Sequence, residues 1–109
     1  MGAQVEMFER KIKEFISTDF DVVCVSSGTS ALHLSLAALG IGDGDEVIVP
    51  SLTYIASFQA ISATGATPIA CEVNADTLFI DTDDAKKRIT KKTKAIMPVH
   101  YASSSLGMD

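Results

Sequence analysis

The sequence predicts an α/β fold of three layers, a mainly parallel sheet with helices on both faces. Three observations lead there. Strand-like and helix-like segments alternate along nearly the whole chain. The strand-like segments are short continuous apolar runs, such as Val22-Val23-Cys24-Val25 and Val47-Ile48-Val49, rather than polar/apolar alternations. Strands that helices cover on both sides have that composition. Finally, a turn of small residues, Ser26-Ser27-Gly28-Thr29-Ser30, joins the first such run to the next helical segment.

Each element has its own warrant. Val5, Phe8, Ile12 and Phe15 recur at helical spacing, and Glu6 with Arg10 and Glu9 with Lys13 place opposite charges one turn apart. The chain therefore opens with an amphipathic helix ending near Ser17. Asp21 to Ser26 is expected as a strand. Thr29 to Leu39 is expected as a helix, stopped by Gly40 and the turn-rich Gly42-Asp43-Gly44-Asp45. Glu46 to Val49 follows as a short buried strand closed by Pro50, and Thr53 to Thr64 as a helix ended by Gly65. Pro68 to Val73 reads as a strand, Asn74 to Thr77 as a turn, Asp83 to Ile89 as a short helix, and Lys94 to Val99 as the last strand. No internal repeat or low-complexity linker interrupts this order.

Composition narrows the function classes. The 109 residues make one small domain's worth of chain, with 47% hydrophobic and 21% charged residues, which suits an ordered globular protein. A net charge of -5 argues against a general affinity for nucleic acid. The basic cluster Lys86, Lys87, Arg88, Lys91, Lys92 and Lys94 lacks interleaved aromatics and reads as a solvated helix end. No apolar run is long enough to cross a bilayer, and the N-terminus does not read as a signal peptide. Cys24 and Cys71 lie in separate predicted strands without metal-ligand partners at useful spacing, so no metal site is expected. They read as buried free thiols of a cytoplasmic protein.

In parallel sheets ligands gather beyond the carboxyl ends of the strands. Three loops fall there: Ser26 to Ser30, Pro50 to Tyr54, and His100 to Ser105. In the first, a helix start offers unsatisfied amides and the positive end of the helix dipole. Gly28 lets an anion approach the backbone, and the Thr29 and Ser30 hydroxyls can add donors. The same residues also suit an ordinary helix cap, and both readings stand on the residues alone. Gly40 to Gly44 follows a helix and lacks the dinucleotide spacing, so it reads as a cap and turn. There is no Walker-type lysine loop. The acids are scattered, and His33 lies inside a predicted helix, so no acid/base pair or activated nucleophile stands out.

Taken in order, five stretches resemble one family. They are Ser26-Ser27-Gly28-Thr29-Ser30-Ala31-Leu32-His33-Leu34, then Ala38 to Pro50, Ser51-Leu52-Thr53-Tyr54-Ile55-Ala56-Ser57, Gly65-Ala66-Thr67-Pro68, and Thr93 to Ala102 with its Pro98-Val99-His100-Tyr101 core. The family is the DegT/StrS-type nucleotide-sugar aminotransferases, pyridoxal-phosphate (PLP) enzymes of the type I aminotransferase fold. The resemblance implies that residues 1–109 are a part of the large, PLP-binding domain. The family's first segment, the rest of that domain and a C-terminal small domain would lie outside them. Gly28, Thr29 and Ser30 would hold the cofactor phosphate, and the Tyr54 ring would lie against the pyridine ring. His100 and Tyr101 would line the substrate side of the pocket.

The resemblance also implies a reaction. An amino group would pass from an amino acid, glutamate in the first instance, to a keto-sugar nucleotide in amino-sugar or surface-polysaccharide biosynthesis. The intact enzyme would be a homodimer. The run Pro50 to Ser57 looks most like the perosamine-synthase type. No lysine here matches the family's Schiff-base lysine, and the aspartate that pairs with the pyridine nitrogen is also expected elsewhere. Residues 1–109 alone are therefore expected to be inactive, with an open sheet edge that favours self-association. A sibling PLP-dependent sugar dehydratase and a small non-catalytic phosphate- or nucleotide-binding module are the alternatives. One departure is visible: Ser103, followed by Ser104 and Ser105, stands where the family usually has glycine.

Overall fold

A computed structural model describes residues 2–103. Helix α1 spans Ala3–Phe15, α2 Gly28–Ala38, β1 Glu46–Pro50, α3 Ala56–Ala63, β2 Thr67–Cys71, α4 Thr82–Arg88 and β3 Thr93–Ile96, before a short 3-10 turn at Tyr101–Ser103. The three strands form one parallel sheet in the order β2-β1-β3.

The centre of that sheet explains the apolar run that predicted it. Val47, Ile48 and Val49 of β1 are fully buried because both faces of the strand are covered. Val47 and Val49 pack with Leu36 of α2, Ile61 of α3, Ile41 and Ala66. Ile48, on the alternate face, packs with Cys71 and with Ala85 of α4. Three layers result, as expected. Edge position also accommodates Pro68 in β2, since a proline cannot complete a ladder on both sides.

Two helix ends are built from backbone chemistry that the sequence announced. At the end of α2, the Gly40 amide donates to the Ala37 carbonyl at 3.0 Å and the Ile41 amide to the Leu36 carbonyl at 3.1 Å. Gly40 adopts φ +73°, and Ile41 joins Leu36 in the core, which completes a Schellman cap with its hydrophobic contact. After α3, Gly65 takes φ +89° for the same purpose. At α4 the Asp81 carboxylate caps the first turn, accepting from the amides of Asp83 and Asp84 at 2.9 and 3.0 Å.

The stretch Asp21 to Ser26 is not a strand, contrary to expectation. Its residues have strand character, but a ladder needs a neighbour, and among the described residues none lies beside it. Instead the Cys24 amide donates to the Glu9 carboxylate of α1 at 2.7 Å, and Asp21 pairs with Lys13 at 2.9 Å. Val23 is 67% exposed. Cys24 is therefore only half-buried, whereas Cys71 is buried as expected. Helix α1 keeps its amphipathic pattern but buries no residue, and its Phe8 and Phe15 stay exposed. Smaller differences are shifts of boundary: α3 begins at Ala56 rather than Thr53, β2 ends at Cys71, and β3 ends at Ile96.

Candidate functional site

Beyond the carboxyl ends of β1 and β3, an open cavity of about 700 Å³ is lined by residues from two of the three expected loops, Ser26 to Ser30 and Pro50 to Tyr54, and by none from His100 to Ser105. The first turn of α2 contributes Gly28 and Thr29, the segment before α3 contributes Thr53 and Tyr54, α3 adds Ser57, and the chain after β3 adds Met97, Pro98 and Val99.

The start of α2 serves as cap and donor site together. Ser27 is the N-cap, and its Oγ accepts the Ser30 amide at 3.1 Å. The Ser30 hydroxyl lies 3.0 Å from the hydroxyls of both Ser26 and Ser27. Ser30 thus braces the turn and does not line the cavity. The amides of Gly28 and Thr29 precede the first intrahelical bond, which runs from Ala31 to the Ser27 carbonyl at 3.0 Å. They lie at the positive end of the helix, on the cavity wall.

Gly28 has no conformational reason to be glycine. Its φ lies outside the left-handed region, and a Cβ built on it would meet nothing within 4 Å. The space beside its backbone on the cavity wall is open. Tyr54 shares the cavity and is 79% exposed, so its ring is presented rather than packed. A phosphate at α2 and a flat heteroaromatic ring against Tyr54 fit these residues.

His100 and Tyr101 lie past β3, exposed, and are not among the cavity-lining residues. Ala102 and Ser103 both take the left-handed conformation, with φ 51° and 61°. Ser103 is the position where glycine would be unstrained. Ser104 and Ser105 lie outside the described residues. His33 is half-buried within α2. Thr53 and Ser57 lie within the Ser51 to Ser57 stretch that carries the resemblance, but neither is assigned a role there. Their four-residue spacing at a helix start is the signal that could have found them.

No lining residue other than Tyr54 is ionisable, and none is a lysine or a carboxylic acid. The wall offers amides, hydroxyls and an aromatic ring, groups suited to binding and orientation. Perturbed groups lie elsewhere. Burial pushes the Cys71 thiol up, on the α4 side of the sheet. Arg88 and the Glu72 amide hold the Asp84 carboxyl below the usual carboxylate range. Among the described residues, no three His, Cys, Asp or Glu side chains gather to hold a metal ion, and no helix is long and apolar enough to cross a membrane.

Comparison with known proteins identifies the family. GDP-perosamine synthase of Escherichia coli O157:H7 is 52% identical over 108 residues, covering 99% of this chain and 29% of its own length. The crystal structure of Streptomyces venezuelae DesV, in complex with a ketimine intermediate, superposes with a TM-score of 0.93 at 48% identity, over all of this chain and 29% of that one. The PLP form of the sugar aminotransferase Spr1654 from Streptococcus pneumoniae superposes with a TM-score of 0.89 at 43% identity, covering 94% of this chain and 26% of that one. The chain thus spans between about a quarter and a third of the length of these relatives. The model of the DegT/DnrJ/EryC1/StrS aminotransferase family matches residues 1–109. With that match over its whole length, the chain belongs to the DegT/DnrJ/EryC1/StrS aminotransferase family.

Proposed function

We infer that residues 1–109 are the part of a PLP-dependent sugar aminotransferase's large domain that holds the cofactor's phosphate and one face of its ring. The observation that carries this reading is the meeting of the Gly28 and Thr29 amides with the Tyr54 ring in one uncharged cavity at the strand ends. Bound there, PLP supplies an electron sink and a carrier for the amino group.

This chain's own residues bind and orient. The Gly28 and Thr29 amides donate to the phosphate, strengthened by the α2 dipole. Ser27 and Ser30 keep the turn in shape for them. Tyr54 sets the plane of the pyridine ring, an aromatic contact of about 0.5–1.5 kcal/mol beyond burial. Leu32, Ala56, Met97 and Val99 give the cavity an apolar wall. His100 and Tyr101 flank the approach of the substrate. No lining residue is a lysine or a carboxylic acid; the family resemblance implies that the amine that would hold PLP and the partner of the pyridine nitrogen are supplied from outside this wall.

The intact protein transfers an amino group from an amino acid, glutamate in the first instance, to a keto-sugar nucleotide. Relatives named as perosamine synthases support this over sugar dehydration. It works as a cytoplasmic homodimer. The deciding experiment is the intact mass of the protein expressed from its native gene, after borohydride reduction. A phosphopyridoxyl increment on a lysine peptide outside residues 1–109 is expected. A protein that carries no increment and binds no added PLP would overturn the reading.

A further inference from the structure

Ser57 is the one buried polar side chain among the described residues, 7% exposed in the wall of the cavity. Its Oγ lies 2.7 Å from the Thr53 hydroxyl. Its amide donates to the Tyr54 carbonyl at 3.0 Å. A single residue of α3 therefore grips the chain on both sides of the Tyr54 side chain, residue 53 by a hydroxyl and residue 54 by its main chain.

The start of α3 makes this grip matter. The residue before the helix is Ile55, already helical in backbone and without a side-chain cap. A Thr hydroxyl near a helix start ordinarily takes a backbone amide; that of Thr53 meets Ser57 instead. The Tyr54 ring, 79% exposed, has little packing to fix its direction. Its aim depends on the backbone that carries it.

We propose that Ser57, acting through Thr53, is a positioning residue: the hydroxyl pair fixes the backbone at Tyr54 and so sets the ring against the cofactor. The proposal rests on the assignment of Tyr54 to the pyridine ring given above. A serine hydroxyl buried in the cavity wall and engaged by the half-buried Thr53 is the polar group that the fold keeps there.

The test is a double-mutant cycle on the full-length PLP-loaded protein. Ser57→Ala, Thr53→Val and Tyr54→Ala are made singly, and each hydroxyl deletion is repeated in the Tyr54→Ala background. The readouts are the rate of PLP release, the circular dichroism of the bound cofactor and the urea midpoint. Thr53→Val keeps the shape of a half-buried side chain and serves if Ser57→Ala does not fold. Each hydroxyl deletion is expected to speed release by about two- to tenfold, the worth of one neutral hydrogen bond. It should also weaken the cofactor dichroism. Thr53→Ser should restore both, and in the Tyr54→Ala background neither deletion should add anything.

Outcomes separate the two claims. If Tyr54→Ala speeds release and the hydroxyl deletions do not, the positioning role is overturned and the Tyr54 assignment stands. If the deletions act equally with and without Tyr54, the hydroxyls work directly on the cofactor or on the fold, and positioning is again overturned. If Tyr54→Ala leaves release and dichroism unchanged, the Tyr54 assignment itself fails and takes the proposal with it.

Discussion

Replacing Gly28 with alanine separates folding from cofactor binding at a single methyl group. The backbone there is not left-handed, and the added Cβ meets nothing within 4 Å. The fold should therefore accept it, with a gain of about 0.4–1 kcal/mol from the reduced freedom of the unfolded chain. The methyl nevertheless stands on the cavity wall, where the amides of Gly28 and Thr29 face the proposed phosphate. Losing one charge-assisted hydrogen bond there costs about 1.5–3 kcal/mol, or roughly a ten- to hundredfold weaker affinity. Thermal unfolding of the apoprotein and fluorescence titration with PLP measure the two sides. The expected result is an unchanged or slightly raised midpoint with a weakened dissociation constant. An alanine variant that binds PLP as tightly as the wild type would refute the phosphate assignment. One that unfolds would refute the claim that this glycine serves a ligand rather than the chain.

Four further outcomes follow from the packing. Ile61→Ala, at a fully buried position shared by α3 and β1, should lower stability by about 2–5 kcal/mol in urea melts. Gly65→Ala should cost at least about 1 kcal/mol, since φ is +89° and the new Cβ would sit 2.8 Å from the Asp43 carboxylate; an unchanged melting temperature would count against it. Ser103→Gly should raise stability by about 1 kcal/mol by releasing a left-handed serine, with thermal melting as the check. Asp84 accepts from Arg88 Nε at 2.6 Å and from the Glu72 amide at 2.8 Å, and its carboxyl is held low chiefly by the Arg88 bond. A depressed carboxylate stabilises above its unfolded pKa and loses that contribution as pH falls through the folded one. The wild type's advantage over Asp84→Asn should thus be full at neutral pH and fade below roughly pH 4. An advantage that is constant across that range, measured by denaturant midpoints, would contradict it.

What was legible in the sequence was whatever a residue decides locally or by full burial. The run Val47 to Val49 announced a strand covered on both faces because nothing polar could survive there. Gly40 and Gly65 announced helix ends because their backbone signs are ones that side chains resist. Asp21 to Ser26 misled because strand character is a property of residues, whereas a strand requires a neighbour. The start of α3 misled because the sequence predicts the helix from Thr53, whereas it begins at Ala56 and the Thr53 hydroxyl is engaged by Ser57. Within the candidate site, Gly28, Thr29 and Tyr54 could be named from their motifs and do share a cavity. Ser57 is passed over, because its four-residue spacing from Thr53 carries weight only once its burial is known.

The division of β1 between two hydrophobic clusters has a consequence for how this part of the protein comes apart. Val47 and Val49 belong to the cluster under α2 and α3, and Ile48 to the one under α4. The strand is thus a common wall, and neither cluster can loosen while the other keeps its packing. Helices on opposite sides of the sheet are coupled through three consecutive residues. The amides of β1 should consequently exchange with solvent only in the rarest and largest openings, while those of α1, which contributes to neither cluster, exchange early and alone.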